Sequence, residues 1–248
     1  MKTRPYLSEI GLKPSAIAMA SEFPFNLPAI ASLDHLLLHP AVTFLVGENG
    51  SGKSTLLEAI AAGMGFNPEG GSRNFNFATR ASHSALHEHL RLVRGVRPPR
   101  DGFFLRAESF YNVSTEIERL DEPPGGPKII DSFGGRSLHE KSHGEAFLTL
   151  FMERFRHDSL LILDEPEAAL SPQRQLAMLS RLHDLVRERC QFIVATHSPI
   201  LMAYPNAYIY ECGERGIRLI EYEDTEHYRV MHDFMAHPER MLKVLLER

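Results

Sequence analysis

The chain has 248 residues, 43% of them hydrophobic, enough for one sizeable core or a core with a small subdomain. Its 27 basic and 32 acidic side chains leave a formal charge of −5, which argues against a protein that coats nucleic acid along its whole surface. Cys190 and Cys212 provide neither a disulfide framework nor a zinc-ligand spacing, so a reducing, cytoplasmic setting is expected; no stretch approaches the roughly 18 apolar residues of a membrane helix, and with no long apolar run in residues 1–20 no secretory leader is expected.

Taken in chain order, Ser15–Phe23 ("SAIAMASEF") and Ala41–Val46 ("AVTFLV") read as strands. "STLLEAIAAGM" follows as a helix that is apolar on nearly every side and is therefore expected to be buried. Residues 65–71 break the pattern with Gly, Pro and Asn. "ASHSALHEHLRLVRG" has helical character up to Gly95, "GFFLRAESF" is a strand, and "NVSTEIERLDE" is a short helix. "SHGEAFLTLFMERF" is a second strong helix. "SLLILDE" is almost purely apolar, the mark of a central parallel strand covered on both faces, and "QFIVATHS" reads as another buried strand. Between them "SPQRQLAMLSRLHDLVRERC" is an amphipathic helix with Pro172 at its start. "AYIYEC" and "GIRLIEYE" form a hairpin, and a C-terminal helical tail from about 224 to 248 is broken near Pro238. Strands alternating with helices make an α/β fold with a mainly parallel sheet. Residues 1–248 read as a single domain, with about 66–142 as an inserted, more helical lobe.

"GENGSGKST" opens the chemistry. Gly47, Gly52, Lys53 and Ser54 meet the phosphate-loop spacing G-x-x-x-x-G-K-[ST] between an apolar strand and a helix. Glycines let successive N–H groups of Gly47, Glu48, Asn49, Gly50, Ser51 and Gly52 turn inward onto an anion, and the helix N-terminus at Ser54 and Thr55 adds its positive end. Lys53 can reach terminal phosphates, and the Ser54 hydroxyl can bind Mg²⁺. A glycine-rich strand-to-helix turn with a chance lysine would need none of this order. The second element is "LLILDEPEAALSP", where a buried strand ends in Asp164 and Glu165. Beside a phosphate loop, Asp164 can hold Mg²⁺ and Glu165 can polarise an attacking water, whereas alone the pair would read as solvated acids at a strand end. His197, one of thirteen histidines, stands out by following a buried strand at the same sheet edge.

Gly47–Ser54, then "SHGE" (Ser142–Glu145) opening a helix, then "LLILDEPEAAL", then His197, resemble the P-loop ATPases of the ABC type. The resemblance implies that Ser142, Gly144 and Glu145 form a signature element binding the γ-phosphate of ATP held by a second subunit. It further implies an ATP-sandwiched homodimer, with Glu165 and His197 in catalysis. Two departures stand out: Lys141 occupies a position usually taken by leucine, and no glutamine ends the strand leading to the lobe. Glu108 is the occupant available there as a Mg²⁺ ligand. "GGSRNFNF", "FFLRAESFYNVST", "KSHGEAFL" and "HPER" together resemble small stand-alone bacterial ATPases of this class, related to SMC-type ATPases; by that likeness Arg73 approaches nucleotide or DNA, with a solvated loop arginine as the alternative.

Three readings follow: a Mg²⁺-dependent soluble ATPase driving an unidentified conformational output, the nucleotide-binding subunit of a membrane transporter, and a non-hydrolysing nucleotide switch. Glu165 and His197 argue against the switch. In the transporter reading the membrane is reached only through another subunit, and Phe23 or Phe25 could stack on adenine. A DNA-metabolism or defence role stays open because seven arginines between Arg73 and Arg106 face only Glu88 and Asp101, a local charge of +5. Arg91, Arg94 and Arg97 recur every three residues and would share one face while helical. A nucleic-acid partner is one outcome; pairing with the acidic remainder of the molecule is the other.

Overall fold

The computed structural model describes residues 5–68, 70–72, 85–106, 115, 119, 130 and 143–247. The elements are β1 (Leu7–Leu12), β2 (Leu36–Leu37), β3 (Val42–Val46), α1 (Lys53–Gly63), β4 (Leu90–Arg94), β5 (Asp101–Arg106), α2 (His143–Glu153), β6 (Ser159–Asp164), α3 (Pro172–Arg187), β7 (Gln191–Ala195), β8 (Tyr208–Gly213), β9 (Gly216–Ile220), α4 (Glu226–Ala236) and α5 (Pro238–Leu246), with short helical turns between them. A six-stranded sheet has the order β5-β6-β7-β3-β8-β9. Its pairs are parallel as far as β8, and β9 returns antiparallel through the hairpin. A second, antiparallel sheet has the order β2-β1-β4. The fold is α/β, as the alternation of apolar strands and helices predicts.

The continuous apolar strands have partners on both faces. Leu161 and Leu163 of β6 pack with Phe147 and Phe151 of α2 and Leu182 of α3. Their alternates Leu160 and Ile162 pack with Leu56, Leu57 and Ile60 of α1 and with Leu7 and Ile10 of β1. Helix α1 lies between the two sheets, which is why it can be apolar nearly all round.

Two expectations give way. Residues 15–23 hold no strand: Pro14–Met19 is a 3-10 helix, Pro14 supplying the fixed φ of its first turn, and Ile17 is 77% exposed. The strand at this end is β1, whose alternation is interrupted by Glu9 and Gly11 and which exists because β2 and β4 flank it. Of the stretch 81–95, residues 85–95 are described: there the helix is a single turn, Leu86–His89, and Leu90–Arg94 is a strand paired with β1 at Ile10↔Leu92 and Leu12↔Leu90. Arg91 and Arg94 therefore share no helix face. Strands β4 and β5, both within the stretch 66–142, are strands of the two sheets. The expected helix over 112–122 lies largely outside the described residues.

One buried side chain ties the two sheets together. Gln191 Oε1 accepts from the backbone N–H groups of Tyr6 and Leu7 at 2.8 and 3.0 Å. Its Nε2 donates to Leu7 O and His39 O at 2.7 and 3.1 Å. Every bond this amide makes is internal, so Gln191→Leu leaves four main-chain groups to find new partners. We expect a loss of about 3 kcal/mol in urea denaturation, the scale of one or two unsatisfied buried polar groups; an unchanged midpoint would show that the amide is dispensable. The two cysteines are buried and free, and burial pushes their thiols up to about 11 for Cys190 and about 12 for Cys212.

Candidate functional site

Strand register places the chemistry. Arg106 pairs with Asp164, Asp164 with Ala195, and Ala195 with Leu45, so β5, β6, β7 and β3 end level. The loops leaving these carboxyl ends share one rim, the usual ligand edge of a parallel sheet. Gly47 leaves β3 with φ +133°, and a Cβ there would stand 2.1 Å from Cys212 O, so no side chain fits. Gly50 and Gly52, at φ +80° and +97°, turn the loop into α1.

Lys53 is the first residue of α1 and only 3% exposed. Its Nζ donates to Gly47 O and Glu48 O at 2.7 and 2.8 Å, closing the loop on itself. Burial lowers its pKa, while the nearby Cys212, Glu165, Asp164 and Glu167 oppose that shift. The Ser51 hydroxyl is buried in the loop with no hydrogen-bond partner. A cleft of about 240 Å³ opens over the loop, lined by Phe23, Leu27, Asn49, Gly50, Gly52, Lys53, Ser54, Thr55 and Glu165. Phe25, in contrast, is buried with its ring edge-on to His89. Of the two aromatics, Phe23 is the one beside the loop.

Asp164 ends β6 and is 5% exposed. The Ser54 hydroxyl donates to its Oδ1 at 3.0 Å, bringing together two hard oxygen donors. This donor set suits Mg²⁺, which takes one or two protein oxygens and completes its shell with water and phosphate. Arg106 lies on the other side, its Nε 3.4 Å from Asp164 Oδ2 and its Nη1 3.2 Å from Glu58 Oε2.

Glu165 has φ +50°, a left-handed conformation uncommon for a non-glycine residue and concentrated at functional sites. Its amide donates to Ala195 O at 2.9 Å. Glu165 lines the cleft over the loop. His197 faces it across the rim, Nε2 to Glu165 Oε1 at 3.4 Å. That Nε2 is buried and makes no hydrogen bond. Glu167 fixes the loop from below, accepting the His197 amide at 2.6 Å on Oε1. Burial raises the Glu167 pKa against the pull of these hydrogen bonds. His197 Nδ1 meets His227 Nε2 of α4 at 2.9 Å.

Gly144, in the first turn of α2, is buried against the turn after Glu165: a Cβ there would stand 2.2 Å from Ala169 O and 2.9 Å from Arg174 Nη1. Glu145 is exposed, with Arg174 Nη2 3.8 Å from its Oε1. Ser142, Glu108 and Arg73 lie outside the described residues.

The structure brings together Gly47, Lys53, Ser54, Asp164, Glu165 and His197. It adds three side chains that sequence reading passed over as site residues: Arg106, Glu167 and His227. Arg106 entered that reading only as part of a basic cluster. Glu167 sits two residues beyond Glu165 with nothing local to set it apart, and His227 is thirty residues from its partner.

Arg91, Arg94 and Arg106, three of the five described arginines of the basic segment, have partners within the chain. Arg91 Nη2 lies 2.7 Å from Glu9 Oε1, and Arg94 Nη2 donates to Gly63 O at 2.7 Å. With Arg106 held by Asp164 and Glu58, the described part of this segment favours pairing with the acidic remainder.

Among the described residues no helix is long and apolar enough to cross a membrane. A family model described as "AAA domain" matches residues 26–120, and one described as "AAA domain, putative AbiEii toxin, Type IV TA system" matches residues 138–203. The chain is 26% identical over 172 residues to "ABC transporter G family member STR2" of Medicago truncatula, covering 64% of this chain and 24% of that one. It is 29% identical over 196 residues to "Arabinose import ATP-binding protein AraG 2" of Burkholderia thailandensis, covering 68% of this chain and 35% of the relative. The chain thus spans about a quarter to a third of the length of these relatives. A solved structure described as "An inward-facing conformation of a putative metal-chelate type ABC transporter" superposes with a TM-score of 0.51 at 17% identity, over 92% of this chain and 88% of that one. At that identity the likeness is one of fold.

Proposed function

On the premise that the chain is a P-loop domain with the fold of ABC-type ATPases, we propose that it binds Mg²⁺-ATP and hydrolyses it. The observation that carries this reading is the convergence on one rim of Lys53, the Ser54–Asp164 pair at 3.0 Å and the Glu165–His197 pair at 3.4 Å. The loop amides and Lys53 bind the phosphates, Phe23 offers a ring for adenine, and Ser54 and Asp164 hold Mg²⁺. The metal neutralises charge developing between the phosphates when it is bound. Glu165 orients and deprotonates water, and His197 donates from Nε2 to the γ-phosphate.

The chain would act as one ATPase unit. Ser142, Gly144 and Glu145 of one subunit would close over the nucleotide of a second, and hydrolysis would reopen this sandwich as the conformational output. The placement of Gly144 against the 166–169 turn supports this use, because it links the signature helix to the loop carrying Glu165. Glu108 as a further metal ligand and Arg73 as a nucleotide or DNA contact belong to the same proposal. The compartment is expected to be the cytoplasm, with any membrane reached through another subunit. A transporter role, suggested by the relatives' names, and a DNA-metabolism or defence role are the alternative outputs of the same chemistry.

The test is calorimetric titration with ATP in the presence of Mg²⁺ or EDTA, with phosphate release followed in parallel. Binding that tightens with Mg²⁺ and slow phosphate release are expected; no heat and no phosphate at millimolar ATP overturn the reading. His197→Ala should lower kcat on the order of 10² while changing ATP affinity far less, because its hydrogen bond strengthens as charge moves onto the transferred phosphoryl group. A variant with normal kcat would return His197 to the ordinary strand-end histidines.

A further inference from the structure

Of the groups around the rim, His227 has no part in the scheme so far, yet it touches the residue assigned to the γ-phosphate. Its Nε2 lies 2.9 Å from His197 Nδ1, with ring centroids 5.1 Å apart and planes inclined by 56°. The contact is braced twice. Thr225, fully buried, caps α4 by accepting the Tyr228 amide at 3.2 Å. Tyr222 Oη donates to Pro199 O at 3.0 Å, joining the segment before α4 to the loop that carries His197. Ring position is thereby set by the fold on both sides of the pair.

Where both imidazoles are neutral, one proton lies between Nδ1 and Nε2, and the direction of that bond decides the chemistry at the far side of His197. If His227 Nε2–H donates, His197 Nδ1 is the acceptor, and the His197 proton sits on Nε2. If His197 donates from Nδ1, its Nε2 presents a lone pair. The atom facing Nε2 is the Glu165 carboxylate at 3.4 Å, an acceptor when ionised, and in the functional reading a phosphate oxygen joins it. Both anions repel a lone pair and favour N–H. Burial, with the neighbouring His197 second, lowers the His227 pKa, which keeps this ring a neutral partner.

We propose that His227 is a positioning residue: it donates from Nε2 to His197 Nδ1, fixes His197 as the Nε2–H tautomer and aims that donor at the γ-phosphate. The proposal rests on the reading of His197 as a phosphate contact. It makes the start of α4, far along the chain from the phosphate loop, an extension of the catalytic rim. Movement of α4 would then be felt at the phosphate through one hydrogen bond, and the presence of the phosphate would be felt at α4.

The experiment is ring-¹⁵N histidine NMR on the full chain, combined with steady-state kinetics. In the native protein His197 should appear as the Nε2–H tautomer; an Nδ1–H tautomer overturns the proposal without any variant. His227→Leu should mix the His197 tautomers and lower kcat by on the order of tenfold, with KM for ATP changed much less, the scale seen when a histidine loses its orienting partner. His227→Gln, whose amide can donate in the same place, should restore the Nε2–H form and most of the rate. Unchanged His197 resonances and unchanged kcat in a folded His227→Leu protein overturn the proposal. If His197→Ala leaves kcat intact, the phosphate-contact reading has failed instead, and the NMR result still decides the tautomer.

Discussion

Replacing Glu165 by glutamine is expected to lower ATP turnover by at least about 10²-fold, the range for loss of a general base, while leaving ATP bound. Glutamine keeps the size and the backbone geometry of the turn but cannot take a proton from water. Glu165 contributes little to the loop's own structure, since it lines the cleft and it is the amide that bonds Ala195 O. Substrate affinity should therefore survive. If two chains close over two nucleotides, this variant accumulates the closed state, and size-exclusion chromatography with saturating Mg²⁺-ATP should show a dimer absent without nucleotide. Ser142→Arg should prevent that dimer by placing a large cation where the second subunit's phosphate would sit. A Glu165→Gln protein that remains monomeric under these conditions, although it binds ATP, would falsify the sandwich while leaving the site itself standing.

The second large effect concerns Lys53. Lys53→Ala should weaken Mg²⁺-ATP binding by at least about 100-fold, corresponding to roughly 2.7 kcal/mol for the loss of charge-assisted contacts to phosphate. The same change also removes the Nζ bonds to Gly47 O and Glu48 O, which hold the loop closed. The thermal midpoint separates the two contributions. Removing a buried ammonium relieves its desolvation, so global stability should shift little even though the loop loosens. An affinity equal to the native value, measured by displacement of a fluorescent ATP analogue, would remove Lys53 from the phosphate contacts.

The two predictions differ in how their residues could be found. Lys53 was legible in the sequence because a phosphate loop is local: strand, glycines, lysine and helix occupy about a dozen consecutive residues, and each is required by backbone geometry. Asp164, Glu165 and His197 were legible for a related reason. Each ends or follows a strand so apolar that it must be buried on both faces, and parallel strands deliver their carboxyl ends to one edge. The register Asp164↔Ala195↔Leu45 is the consequence.

What pattern reading missed depends on contacts between distant segments. Strand β1 carries Glu9 and Gly11 in its interior, and what makes it a strand is pairing with β2 and β4, which lie far along the chain. Gly11 itself sits where a Cβ would lie 2.0 Å from Asp34 O, a close approach invisible in the hydrophobic pattern. "LRLVR" at residues 90–94 carries apolar residues at spacings compatible with either period; the open edge of β1 decided for strand. That decision also dispersed the apparent arginine face, because a strand sends Arg91 towards Glu9 and Arg94 towards Gly63.

By itself, the sequence determined the α/β class, the phosphate loop and the acid pair, because these follow from local periodicity and from residue types that few other conformations tolerate. The tertiary structure alone decided that Gln191 joins the two sheets, that Phe23 rather than Phe25 reaches the loop, that Glu167 and Arg106 flank the acid pair, and that His227 meets His197. Each of these depends on where a polar or aromatic side chain finds its partner once the cores have closed. Hydrophobic patterning is blind to such pairings, since it records which residues leave water and not which polar groups then face one another.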